Sequence, residues 1–257
     1  MHDLHFVLVH GLAHRGWHLH FLQEELQRAG YTCSTLNLPA AGDTSDDHDT
    51  GGLTADAAAV REAIEQAART HDKIVPVFHS YGGVCGSEGI AQLSPESKAK
   101  IHHLVYLAAV ILPAGSSVNS YFGGRRAAWT ANSENGKTTY VPDPIPVFYH
   151  DLEPPALAEE AAARLVVHAG SSFKEATKHG GWRLFPKKTY VHCLDDRALP
   201  METQRGFFEK MSENERAGWQ FAEMEGSHSP YLTKPAETAK LLEKIAGKNI
   251  TVLRSKL

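Results

Sequence analysis

The residues best suited to chemistry lie in one stretch, where an apolar β-branched run ends at His79 and Ser80 and small residues follow. Residues 74–78 are typical of a buried strand, and Gly82 and Gly83 can open a helix. A sharp turn between such a strand and helix holds a serine hydroxyl above the sheet, where the helix N-terminus stabilises developing negative charge. This pattern is typical of a nucleophile elbow, and it makes Ser80 a candidate nucleophile.

Two residues of this stretch depart from the usual G-x-S-x-G pattern. Phe78 stands where the first glycine is expected, and Pro76 removes a backbone donor from a strand that should be central. The alternative interpretation is a Ser-Tyr-Gly-Gly turn that only joins a strand to a helix. The stretch alone therefore does not establish a nucleophile.

Other polar groups follow three further apolar runs, at the point where each predicted strand ends. His10 and Gly11 follow the first strand, Asp195 and Asp196 follow the fifth, and His228 follows the sixth. Because open parallel sheets place their chemistry at the carboxyl ends of the strands, we expect these groups to meet the candidate serine. The chain order of serine, acid and histidine is typical of α/β-hydrolases. Either aspartate is alternatively a helix-capping or loop-solvating residue.

The elements that position these groups alternate along the chain, which predicts an α/β fold with a parallel, doubly wound sheet. Apolar runs predict strands at residues 6–9, 32–38, 74–78, 103–110, 189–194 and 219–224. The alternation breaks between 112 and 186, where prolines and aromatics are frequent and one helix is predicted at residues 155–168. We predict a core formed by residues 1–111 and 187–257, with residues 112–186 inserted as a substrate-recognising lid.

The sequence resembles the α/β-hydrolase superfamily, and within it the compact branch of plant methyl esterases, hydroxynitrile lyases and related microbial esterases. The resemblance rests on five segments spread over nearly the whole chain, at residues 7–17, 74–86, 107–113, 190–200 and 226–228. It implies a six-stranded, mainly parallel sheet with an inserted lid. The lid itself matches least.

The resemblance implies a catalytic triad. Ser80 corresponds to the nucleophile, His228 to the general base and then acid, and Asp196 to the carboxylate that orients the imidazole. Asp196 is preferred to Asp195 because its spacing to Pro200 follows the pattern of the family.

The resemblance also implies an oxyanion hole, formed by the backbone N–H groups of Leu12 and Tyr81. Substrate contacts are expected from the entrance segment after the first strand, from aromatic residues of the lid and from the segment after the aspartates. The candidates are His14, Tyr121, Trp129, Trp182 and Leu199.

Two positions separate this chain from the lyases. The resemblance implies that lyases carry threonine at position 11 and lysine after the catalytic histidine. Here those positions hold Gly11 and Ser229. Hydrolysis of an ester, lactone or thioester of a small apolar, acyl- or polyketide-like substrate through an acyl-enzyme is favoured over cyanohydrin cleavage. A non-hydrolytic relative stays open as the alternative, either a small-molecule receptor or a C–C bond lyase or cyclase that uses His228 as a base.

Composition argues against several other classes of protein. The chain has 257 residues, with 26 Lys and Arg against 30 Asp and Glu and a formal net charge of -4, so no basic excess indicates a nucleic-acid partner. No apolar run is long enough to span a membrane, and the first residues lack the pattern of a secretory signal. The three cysteines form no motif. We expect a small-molecule substrate and no metal or organic cofactor.

The last three residues, Ser255, Lys256 and Leu257, match a tripeptide that the peroxisomal import receptor reads at a free C-terminus. We expect peroxisomal localisation, with the cytoplasm as the alternative. Peroxisomes handle acyl-CoA thioesters and, in fungi, late steps of secondary metabolism, so a thioester or a polyketide- or fatty-acyl-derived ester is the favoured substrate. Arg125 and Arg126 either contact a phosphate or carboxylate group of such a substrate or are only solvated.

Overall fold

The computed structural model describes residues 3–42 and 51–247. In this part of the chain, nine strands form two sheets. The strands are β1 (His5–Val9), β2 (Thr32–Thr35), β3 (Ile74–His79), β4 (Leu104–Leu107), β5 (Ala131–Asn132), β6 (Thr138–Tyr140), β7 (His168–Ala169), β8 (Lys188–Cys193) and β9 (Trp219–Met224). Six of them form one sheet in the order β2-β1-β3-β4-β8-β9, in which every neighbouring pair is parallel. The predicted six-stranded, doubly wound sheet is confirmed.

Helices connect the strands and cover both faces of this sheet. They are α1 (His20–Arg28), α2 (Gly52–Ala68), α3 (Gly82–Ala91), α4 (Pro95–Lys100), α5 (Val118–Tyr121), α6 (Ile145–Phe148), α7 (Pro155–Ala163), α8 (Ser171–Lys174), α9 (Met201–Glu209), α10 (Glu213–Arg216), α11 (Pro230–Thr233) and α12 (Pro235–Ala246). Short 3₁₀ helices lie at Gly16–Leu19 and Gly181–Leu184. Within residues 3–42 and 51–247, no helix is long and apolar enough to cross a bilayer.

Successive residues of β1 face opposite sides of the sheet. Val7 and Val9 belong to one apolar cluster, together with side chains of α2 and α3, whereas Phe6 and Leu8 belong to a second cluster with side chains of α1 and α12. Because side chains alternate along a strand, a strand that is buried on both faces has a nearly continuous apolar sequence. This burial explains the unbroken apolar runs from which the strands are predicted.

The stretch 112–186 leaves the sheet after β4 and returns at β8, and it contains α5 to α8 and the small antiparallel sheet of β5, β6 and β7. The helix predicted over residues 155–168 is too long, because α7 ends at Ala163. The chain then extends, and the backbone N–H of Val166 donates to the carbonyl of Ala13 at 2.9 Å. Contacts with the loop after β1 therefore replace the last turns of the expected helix.

The fold accommodates both departures from the usual elbow pattern. Phe78 is fully buried, and its ring packs edge-on against Tyr106 with 5.3 Å between ring centroids. A Cβ at Gly86 of α3 would lie 2.4 Å from the Phe78 ring, so the small residue that lets helix and strand approach lies on the helix. Pro76 precedes the residues of β3 that pair with β4, which begin at Val77.

Gly86→Ala is predicted to lower the free energy of unfolding by about 1–3 kcal/mol, because the added methyl overlaps the Phe78 ring in a close-packed core. Urea or thermal unfolding followed by circular dichroism measures the change. Gly206→Ala in α9 is the matched control, since a Cβ there meets nothing within 4 Å. It should raise stability by up to about 1 kcal/mol through helix propensity. Equal unfolding midpoints for the two variants would contradict this account.

Candidate active site

Ser80 lies in the turn between β3 and α3, with a backbone φ of 54°. This left-handed conformation is unfavourable for a residue with a side chain and persists only where the surroundings enforce it. Here the Ser80 carbonyl accepts hydrogen bonds from the N–H groups of Gly83 and Val110, each at 2.9 Å. Ser80 is 8% exposed and lines a cavity. The turn therefore has the strand–turn–helix geometry of a nucleophile elbow.

His228 and Asp196 form a buried pair at the ends of β9 and β8. The His228 Nδ1–H donates to Asp196 Oδ2 at 2.7 Å, and both side chains are almost inaccessible to solvent. Asp196 Oδ1 accepts two more hydrogen bonds, from the backbone N–H groups of Ala198 and Leu199 at 2.8 Å each. With Nδ1 donating, Nε2 of His228 is the nitrogen that can take up a proton.

Asp195, the alternative acid, lies elsewhere. Its side chain is 64% exposed and accepts a hydrogen bond from His150 Nε2 at 2.9 Å. Of the two adjacent carboxylates, the fold therefore brings Asp196 to His228 and turns Asp195 towards solvent.

His79 holds the His228 backbone beside the elbow. Its Nε2–H donates to the His228 carbonyl at 2.8 Å, and the two rings lie 4.6 Å apart. Burial lowers the pKa of His79 well below its ordinary value, so this imidazole is neutral. Phe148 stacks on the other histidine ring with 5.5 Å between centroids. Among the described residues, His228 Nδ1 bonds Asp196, and no hydrogen bond joins Ser80 Oγ to His228.

Leu12 and Tyr81, whose backbone N–H groups are the predicted oxyanion donors, line the same cavity as Ser80. Neither N–H donates a hydrogen bond to any residue in the described part of the chain. The Leu12 loop comes very close to the serine, because a Cβ at Gly11 would lie 2.6 Å from Ser80 Cβ. Two unengaged donors beside a buried hydroxyl are suited to binding an oxyanion.

Tyr81 is anchored from below by a carboxyl group that the sequence analysis missed. The Tyr81 hydroxyl donates to Asp56 Oδ2 at 2.9 Å, and the backbone N–H of Ala40 donates to Asp56 Oδ1 at 2.8 Å. Desolvation by burial raises the pKa of Asp56 to about 7. The sequence signal that could have identified Asp56 is the presence of an aspartate on the buried face of α2, between Leu53 and Val60.

The raised pKa of Asp56 predicts a pH-dependent stability. Between about pH 4 and pH 7 the folded chain keeps a proton that the unfolded chain releases, so stability falls as pH rises through this window, by up to about 4 kcal/mol. Asp56→Asn cannot ionise and should lack this component. Urea unfolding of the wild type and of Asp56→Asn at pH 5 and pH 8 measures this component. The wild type should lose more free energy of unfolding between the two pH values than the variant loses, so the difference in stability between the two proteins should change with pH. A difference that stays constant with pH would contradict the prediction.

The cavity above Ser80 has a volume of about 610 Å³. Trp129 and Leu199, two of the predicted substrate contacts, line it, and the indole Nε1–H of Trp129 donates to the Ala198 carbonyl at 3.1 Å. The apolar side chains that sequence analysis missed are Val110, Val118, Phe122 and Phe173. A second depression of about 730 Å³ lies near Trp17 and Arg164, and none of the candidate triad lines it.

The other three predicted substrate contacts lie outside the cavity. Trp182 is 1% exposed, packs against Trp219 at 5.7 Å and donates its Nε1–H to a backbone carbonyl. His14 is buried, with its Nε2 2.9 Å from the Tyr149 hydroxyl. Tyr121 packs on the ring of Phe207 at 5.7 Å. Instead of lining this cavity, these rings pack between the insertion and the core.

Within residues 3–42 and 51–247, no group of three or more His, Cys, Asp or Glu side chains is placed to hold a metal ion. Ser255, Lys256 and Leu257 lie outside the described residues.

A sequence model of the alpha/beta hydrolase family matches residues 6–241, which is most of the chain. The chain therefore belongs to the alpha/beta hydrolase family, in agreement with its sheet and its elbow.

Relatives within this family include named hydrolases and esterases. A probable hydrolase of Phoma sp. is 26% identical over 221 residues, which cover 84% of this chain and 83% of the relative. Methylesterase 7 of Arabidopsis thaliana is 25% identical over 266 aligned residues, covering 95% of this chain and 96% of the relative. Tomato methylketone synthase I complexed with 2-tridecanone has the same fold, with a TM-score of 0.76, 21% identity and coverage of 96% and 98%. The predicted family and the enzyme class, a hydrolase similar to plant methylesterases, are confirmed.

Proposed function

We propose that the protein is a serine hydrolase that cleaves a carboxylic ester, lactone or thioester through an acyl-enzyme on Ser80. The observation that carries the proposal is the buried hydrogen bond between His228 Nδ1 and Asp196 Oδ2 beside the elbow serine. Such a pair fixes the histidine tautomer that can accept a proton at Nε2 and stabilises the imidazolium that then forms.

In the proposed mechanism, Ser80 Oγ attacks the carbonyl carbon while its proton moves to His228 Nε2. The negative charge that develops on the carbonyl oxygen is stabilised by the N–H groups of Leu12 and Tyr81. The imidazolium then protonates the leaving alcohol or thiol, and the acyl group stays on the serine. The alcohol or thiol of an ester or thioester departs, whereas the alcohol of an opened lactone remains attached to the acyl group. Water attacks this acyl-enzyme with the same histidine as base, and the free acid is released.

Two further observations support hydrolysis. The relatives include a probable hydrolase and a methylesterase by name. A Cβ at Gly11 would lie 2.6 Å from Ser80 Cβ, so the loop conformation here excludes the threonine that the resemblance associates with lyases. Position 11 therefore lacks the residue that the resemblance associates with cyanohydrin cleavage.

The proposed acyl group is small and largely apolar, of the acyl or polyketide type. The support is the wall beside the serine, where Val110, Val118, Phe122, Trp129 and Phe173 supply apolar surface. Pockets of this kind gain affinity from apolar burial and orientation from a few polar groups.

Ser80→Ala is predicted to lower the kcat for 4-nitrophenyl butanoate at least about 1,000-fold, because the attacking atom is removed. Initial rates measured by nitrophenolate absorbance test this. Ser116→Ala is the matched control, since Ser116 lies in the insertion and does not line the cavity. It should keep the wild-type rate.

A fluorophosphonate probe separates the proposed hydrolase from the non-hydrolytic alternatives. Intact mass should show one adduct on the wild-type chain and none on Ser80→Ala. Undiminished ester turnover by Ser80→Ala, or tight ligand binding with no adduct on the wild type, would overturn the assignment.

We further propose import into peroxisomes, with the import receptor reading Ser255, Lys256 and Leu257. The support is the tripeptide itself. In this compartment a thioester, or a polyketide- or fatty-acyl-derived ester, is the proposed substrate.

A fluorescent protein fused to the N-terminus should become punctate with a peroxisomal marker in a peroxisome-containing host. The same fusion without the last three residues should stay diffuse. Diffuse fluorescence from both fusions would contradict peroxisomal import and leave the cytoplasm as the location.

A further inference from the structure

The cavity above Ser80 carries charge of one sign. Arg125, Arg126, Lys174 and Arg197 line it, whereas no described aspartate or glutamate does. These cations are concentrated at the cavity although the whole chain has a formal net charge of -4. We call these four residues the cationic rim.

The cationic rim is assembled from three separate segments of the chain. Arg125 and Arg126 lie between α5 and β5, Lys174 is the last residue of α8, and Arg197 lies between β8 and α9. All four side chains are exposed, whereas Ser80 at the other end of the cavity is buried. The cations therefore surround the mouth, and the nucleophile lies at the base.

The rim lacks the counter-charges that other surface cations have. Arg164 pairs with Glu160, and Arg183 pairs with Glu215. In the described part of the chain, Arg125, Arg126 and Lys174 take part in no ion pair within 4.0 Å.

Two groups of this region form hydrogen bonds with other parts of the chain. Glu175, next to Lys174 in sequence, accepts hydrogen bonds from the backbone and hydroxyl of Thr54 at 3.0 Å each. Arg197, the fourth residue of the rim, donates to the backbone carbonyl of Pro146 at 3.4 Å and forms no ion pair with a described residue.

We propose that the cationic rim binds an anionic group, a phosphate or a carboxylate, at the end of the substrate remote from the scissile carbonyl. A cleft lined by charge of one sign attracts ligands of the opposite sign, and guanidinium groups match both anions in geometry. The inference rests on the proposed hydrolase function and deepens it. The substrate is an amphipathic ester or thioester, with an apolar acyl part beside Ser80 and an anionic part at the mouth.

The test compares matched neutral and anionic substrates. Butanoyl-coenzyme A carries phosphates, and S-butanoyl-N-acetylcysteamine has the same thioester without them. For a carboxylate, 4-nitrophenyl hydrogen glutarate is compared with 4-nitrophenyl pentanoate. Wild type should prefer one anionic member by kcat/KM, and the preference should shrink as salt is raised, because exposed charges are screened.

The double variant Arg125→Gln/Arg126→Gln should lower the ratio of anionic to neutral kcat/KM about tenfold, as the loss of two exposed charge contacts implies. The loss should fall mainly on KM. Arg205→Gln is the matched control, since Arg205 is exposed on α9 and does not line the cavity, and it should leave the ratio unchanged.

A preference confined to butanoyl-coenzyme A identifies phosphate, and one confined to the glutarate ester identifies carboxylate. No preference in either pair, or an unchanged ratio in the double variant, overturns the inference.

A binding measurement separates this inference from the hydrolase proposal. Calorimetry with the non-hydrolysable S-butyl thioether of coenzyme A and with glutarate monobutyl amide needs no turnover. If neutral esters are not cleaved but the double variant weakens one of these ligands about tenfold, the hydrolase proposal fails and the cationic rim stands. If neutral esters are cleaved but neither ligand binds more weakly to the double variant, the rim inference fails alone.

Discussion

Close backbone contact around Ser80 is the constraint on which the rest of the site depends. A Cβ at Gly82 would lie 2.8 Å from the His10 carbonyl oxygen, and one at Gly83 would lie 2.5 Å from the Val110 carbonyl oxygen. The segments that follow β1 and β4 thus press on the turn after β3, and this crowding keeps the serine at a positive φ. The same crowding brings Leu12 and Tyr81 to the wall of the cavity that Ser80 lines. The strained conformation of Ser80 and the close approach of the Leu12 loop therefore share one physical origin.

Buried, neutral polar side chains hold these loops together. His10 donates from Nδ1 to the Gly11 carbonyl at 2.9 Å and accepts at Nε2 from the Leu38 N–H at 3.1 Å. Burial lowers the pKa of His10 to about 3, so it bridges two loops as an uncharged group. His79 does the same between the elbow and the backbone of His228. Uncharged bridges satisfy buried backbone groups without the cost of burying a charge.

The sequence predicted the fold well because its signals are local. Apolar runs indicate strands that are buried on both faces, and the serine with its following glycines indicates a turn that only small residues permit. The order of serine, acid and histidine, each directly after a strand, is enough to place all three at one edge of a parallel sheet. The departures at Phe78 and Pro76 change the packing around the elbow without changing its form.

Tertiary structure decided what depends on distant contacts. Asp195 and Asp196 are adjacent and chemically identical, and only the turn after β8 determines which carboxylate reaches His228. Aromatic residues of the insertion look alike in sequence, yet Trp129 faces the cavity and Trp182 fills the core, because each ring goes where neighbouring segments leave space. The anchoring of Tyr81 by Asp56 joins residues 25 positions apart. Pairings of this kind depend on how helices pack on the sheet, a property that periodicity and composition do not encode.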